Sequence, residues 1–152
     1  MDKNNPFLDE LLGQHDLKGL NPSIDSEGCN FMTQLAVPQL LTGKIIKDTD
    51  IIDSIWKEAN KNDSVLANSS VINPEKLSKV YMEKMNLGYQ VSVGRSDWWK
   101  LVNGTSVGNV IKVPYGLTGH YTLGSNDNNI IYNPGNKTSQ KHTLTEILLY
   151  GY

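Results

Sequence analysis

The chain has 152 residues, of which 38% are hydrophobic and 20% charged, the profile of a folded globular protein and not of a disordered one. With 14 basic residues against 16 acidic ones the net charge is -2, so no basic excess supports a nucleic-acid-binding role. One domain over 1–152 is expected, long enough to bury a core without a disulfide or a structural metal.

The N-terminal stretch MDKNNPFLDELLGQHD lacks a cationic start followed by an apolar core, so no signal peptide is expected. No apolar run approaches the roughly 20 residues that span a bilayer. Cytoplasmic synthesis is therefore expected, although non-classical export leaves no trace in a sequence. The single cysteine cannot form an intramolecular disulfide and gives no sign of an oxidising compartment. Residues 1–27 read as a polar N-terminal loop region, apart from an apolar turn at Phe7, Leu8, Leu11 and Leu12.

A helix opens at Gly28-Cys29, with Phe31, Met32, Leu35, Ala36 and Leu40 on one face. Pro38 lacks an N–H and crowds the preceding turn, which predicts a kink or break near Val37. A second helix starts at Asp48 or Thr49 and buries Ile51, Ile52, Ile55, Trp56 and Ala59. A third has Asn73 as cap, Pro74 at its first position, Leu77, Val80, Tyr81 and Met85 facing inward, and Gly88 as its stop.

Beyond Gly88 the period changes. Tyr89, Val91 and Val93 alternate as in a half-buried strand, and Trp98 to Val102 suggest a short helical segment. Val110, Ile111 and Val113 predict another strand, His120 to Asn133 a hairpin turning through Ser125 to Asn129, and Thr143 to Tyr152 a last strand. Helices first and strands afterward predict an α+β domain, with N-terminal helices packed on a C-terminal antiparallel sheet.

Cys29 stands at the start of a helix, where backbone N–H groups favour an anion and so raise the thiolate fraction. Those amides can also hold an oxyanion. The competing reading is a buried structural cysteine. His120 follows Gly119 at the start of a strand. A hairpin centred between Asn126 and Asp127 sets it directly opposite Asn133, side chains on one face. From there an amide oxygen can accept the Nδ1 proton and aim Nε2 at a thiol.

Gly28-Cys29 opening a helix, Gly119-His120-Tyr121 on a late strand, and Tyr132-Asn133-Pro134-Gly135 closing the next together resemble the papain-like peptidases, and most of all the C39-like branch. The resemblance runs from about residue 28 to 135 and rests on three short motifs. It implies a papain-like fold and a peptidase or amidase with Cys29 as nucleophile, His120 as base and Asn133 orienting that base. A peptide or protein substrate, including peptidoglycan peptide, and no cofactor follow from the same likeness. The chain departs from the family in lacking a glutamine a few residues before the cysteine. Asn21 and Gln14 are the candidate oxyanion donors in its place, with Ser26 a weaker one. The departure also supports a papain-like module that binds without catalysing, and the same triad serves acyl transferases and deamidases.

Other groups carry less. His15 and His142 lie in polar surroundings with no zinc-site partners, His142 reads as a surface residue, and Asp48 and Asp50 read as helix-start charges. Trp98 and Trp99 divide between core and surface as adjacent aromatics on a short helix do, with lining of a substrate cleft the alternative. Gly104, Gly108 and Gly116 lack phosphate-loop spacing.

Overall fold

The computed structural model describes residues 4–87, 93–94, 108–115, 118–124, 130–135 and 147–150, with side chains over 4–87, at 121 and 123, and over 131–135. The segment expected to be a polar loop is built instead of two 3-10 turns, Leu8–Glu10 and Gln14–Leu17, and a first helix, α1 (Pro22–Glu27). Asn21 starts that helix: its Oδ1 accepts the Ile24 N–H at 3.0 Å, and Pro22 takes the first position, where a missing N–H costs nothing. Leu17 and Ile24 are fully buried, so the segment belongs to the core.

Helix α2 (Cys29–Thr42) follows α1 across the single residue Gly28. The Gly28 N–H still bonds the Ile24 carbonyl at 2.9 Å, and a Cβ on Gly28 would sit 2.3 Å from that oxygen. Only glycine fits.

Every residue of α2 from Asn30 to Leu40 is buried. The helix therefore has no solvent face, and the expected one-sided stripe is replaced by enclosure on all sides. The polar residues among them find partners, apart from Gln34 Oε1, which has none among the described residues. Gln39 Nε2 donates to the Leu35 carbonyl at 3.0 Å, while its Oε1 accepts the Ile46 N–H at 2.9 Å. Gln34 Nε2 donates to Asn30 Oδ1 at 3.3 Å. The helix runs through Pro38 to Thr42 without the predicted break, and Gly43 ends it at φ +70°, the left-handed conformation glycine adopts freely.

Helix α3 (Thr49–Lys61) is capped by Asp48, whose side chain accepts the Asp50 N–H at 2.9 Å. It buries Ile52, Ile55 and Ala59, and also Asp53. The Asp53 carboxylate is compensated by Asn21 Nδ2 at 2.9 Å and Lys57 Nζ at 2.8 Å, as a buried charge requires. Helix α4 (Pro74–Lys84) is capped by Asn73, Oδ1 accepting from Lys76 N at 3.1 Å, and buries Leu77, Val80, Tyr81 and Met82. The Tyr81 hydroxyl reaches the Lys44 carbonyl at 2.6 Å, fastening α4 to the loop after α2.

The strands are β1 (Val93–Gly94), β2 (Gly108–Tyr115), β3 (Thr118–Gly124), β4 (Ile130–Tyr132) and β5 (Ile147–Tyr150). They form one sheet in the order β1-β5-β2-β3-β4, every pair antiparallel. Leu123 of β3 and Tyr132 of β4 join the core formed by the helices. Among the described residues no helix is long and apolar enough to cross a membrane.

Candidate functional site

Cys29 is the first residue of α2 and is half-buried. Four residues before it, the Asp25 carbonyl accepts the Gln14 side-chain amide, Nε2 to O, at 3.0 Å. The turn before the cysteine is thus held from outside the helix.

One turn further along α2, the Thr33 hydroxyl donates to the Tyr121 carbonyl of β3 at 3.2 Å. That bond seats the first turns of α2 on β3, the strand that carries His120 beside Tyr121. His120 itself pairs with Val113 of β2, and its side chain lies outside the described residues.

Asn133 follows β4 directly and is half-buried. Its Oδ1 accepts the Gly135 N–H at 3.1 Å, which shapes the turn. Pro134 is buried, and its carbonyl accepts the Gln14 backbone N–H at 2.9 Å. The Tyr132 hydroxyl donates to the Leu12 carbonyl at 2.7 Å. Burial pushes the Tyr132 phenol far above its usual value, and the nearby Asp16 carboxylate acts in the same direction, so this donor stays protonated.

The β3–β4 register differs from the expected one. Leu123 faces Tyr132, and Gly124 faces Ile130 after an irregularity between the two pairs. The expected hairpin has Leu123 facing Ile130. The shift at Leu123 is two residues, which preserves the face of each position because strands alternate with period two. Continued past β4, the observed pairing puts position 133 opposite Thr122, on the diagonal from His120 and not directly across from it. Diagonal positions remain within reach of long side chains.

The two candidate oxyanion donors have separate fates. The Asn21 side chain is committed on both atoms, Oδ1 to Ile24 N and Nδ2 to Asp53, and serves the helix start. Gln14 reaches α1, is 6% exposed, and links Asp25 to Pro134. Its Oε1 is buried with no hydrogen-bond partner among the described residues. The Ser26 hydroxyl bonds the Pro22 carbonyl within its own helix.

One pairing escaped the sequence reading. His15 Nδ1 lies 2.8 Å from Asp25 Oδ1, so this exposed histidine joins the N-terminal segment to α1. Residues ten apart in a region read as loop gave no periodic signal for it. Trp98, Trp99, Gly104, Gly116 and His142 lie outside the described residues.

No protein-family model matches the chain, and searches of curated proteins and of solved structures return no match.

Proposed function

We propose that this protein is a cysteine hydrolase of papain-like, C39-like type, cleaving a peptide or amide bond in a peptide or protein, peptidoglycan peptides included. The observation that carries the reading is the double anchorage of Gln14. It joins Pro134, the neighbour of Asn133, to Asp25, one turn before Cys29. Thr33 adds the strand of His120 to the same region. Three segments remote in sequence thus meet around the start of α2.

In this reading the Cys29 thiolate attacks the substrate carbonyl carbon, and the π electron pair moves to oxygen. The Cys29 N–H and the second Nε2 hydrogen of Gln14 face that oxyanion. His120, protonated and oriented by Asn133, gives its proton to the departing amine as the carbon–nitrogen bond breaks, leaving a thioester. A water deprotonated by His120 then attacks the thioester, releasing the acid and restoring the thiolate.

The second reading is a papain-like module that binds without catalysing. It is favoured by the bonds already held by Gln14 Nε2 and Asn133 Oδ1. Alkylation separates the two. The chain has one cysteine, so iodoacetamide reports on Cys29 alone. The hydrolase requires rapid labelling at neutral pH, with a midpoint below the ordinary thiol value of about 8.5, and Cys29→Ala must abolish hydrolysis while keeping the fold. An ordinary midpoint selects the binding module.

A further inference from the structure

We propose that residues 12 to 15 are a positioning strap, centred on Gln14, which fixes the Asn133-Pro134-Gly135 turn against the helix turn leading to Cys29. This rests on the hydrolase reading and deepens it.

The strap is fastened on two sides. Toward the sheet, the Leu12 carbonyl accepts from the Tyr132 hydroxyl at 2.7 Å and the Gln14 N–H donates to the Pro134 carbonyl at 2.9 Å. Toward the helices, Gln14 Nε2 donates to the Asp25 carbonyl at 3.0 Å, and His15 Nδ1 meets Asp25 Oδ1 at 2.8 Å. Between these anchors there is no slack. A Cβ on Gly13 would lie 2.8 Å from the Pro134 oxygen, closer than real Cβ atoms approach.

The Gln14 amide also has a cost that packing does not explain. Its Oε1 is buried with no partner among the described residues, and an unsatisfied buried carbonyl is destabilising. An apolar side chain of the same length would fill the space without that penalty. What the amide alone supplies is the bond to Asp25, the one link among the described residues from a Gln14 side-chain atom to the helix that precedes Cys29.

The strap acts through Asn133. If that residue holds the imidazole that ionises the thiol, the distance between the turn and α2 sets the strength of the thiolate–imidazolium pair. Loosening either side of the strap weakens the pair and raises the thiol midpoint. A donor that merely met the oxyanion would change turnover without moving that midpoint, so the pH profile isolates positioning.

The experiment is the pH profile of Cys29 alkylation by iodoacetamide, with thermal melts alongside, for the full wild-type chain, Gln14→Met and Gly13→Ala. Gln14→Met removes the amide at similar length; Gly13→Ala keeps every polar group and pushes the strap off Pro134. We expect a depressed midpoint in the wild type and a rise of about one pH unit in each variant, a roughly tenfold loss of labelling rate at pH values well below both midpoints, with cooperative melts retained. A depressed wild-type midpoint that stays unchanged in a cooperatively melting variant overturns the strap and leaves the hydrolase standing. An ordinary midpoint in the wild type removes both. Either variant decides alone, so misfolding of one leaves the other to give the answer.

Discussion

The Thr33 hydroxyl donates to the Tyr121 carbonyl, joining the central helix α2 to strand β3 one turn beyond Cys29. Thr33 is fully buried, so no water replaces the bond once it is removed. Thr33→Val keeps the shape and deletes the donor. The expected loss is about 1 kcal/mol, read as a lower urea midpoint with an unchanged slope. A stability equal to wild type would mean that the helix–strand contact rests on apolar packing alone.

Gly28 is the hinge between α1 and α2, and its requirement is steric, since its φ of -80° suits any residue. The Cβ of Gly28→Ala would meet the Ile24 backbone, oxygen and Cα both. Relief demands that α1 shift against α2, at an expected cost of about 1–3 kcal/mol by analogy with overpacked cores. Calorimetry of the variant measures it, and a melting temperature within error of wild type would refute the tight junction.

Asn21 and Asn73 both start helices beside a proline, yet they are unequal in what else they hold. Asn73→Ala removes a cap only, with an expected loss of about 1 kcal/mol. Asn21→Ala removes a cap and also strips a partner from the buried Asp53 carboxylate, so its loss should be clearly larger. Denaturant titrations of the two variants side by side settle the order.

That pair of asparagines also shows how far the chain could be read unaided. The Asn-Pro start was recognised at 73–74, where an apolar helical stripe follows it. At 21–22 the same dipeptide opens a helix of only six residues, too short to display a period. The caps of α3 and α4 were legible because they depend on local chemistry. The enclosure of α2 was not, since polar Asn30, Thr33, Gln34 and Gln39 are buried by tertiary packing that no local pattern encodes. The hairpin register was displaced for a similar reason: an irregularity at Leu123 and Gly124 absorbs residues that a regular turn would have paired. At the site, the amide chemistry of Gln14 marks it as a candidate in the sequence, but its two anchors at Asp25 and Pro134 come from long-range folding.

Tyr132 supplies a pH-dependent test. Its phenol is held above the ordinary value of 10.0 by burial, with Asp16 contributing. The folded chain therefore keeps a proton that the unfolded chain releases, so stability is intact below that value and declines as pH rises past it. Tyr132→Phe loses the bond to the Leu12 carbonyl, about 1 kcal/mol near neutral pH, but declines less steeply in alkali. Urea midpoints of both proteins between about pH 8 and pH 11 give the two slopes, and parallel curves would exclude a buried, neutral phenol.

The burial of α2 on every side from Asn30 to Leu40 governs how the molecule comes apart. Amides along such an axle trade their hydrogens for deuterium only when the whole domain opens. The sulfur at its tip is thereby mounted on the last component to loosen.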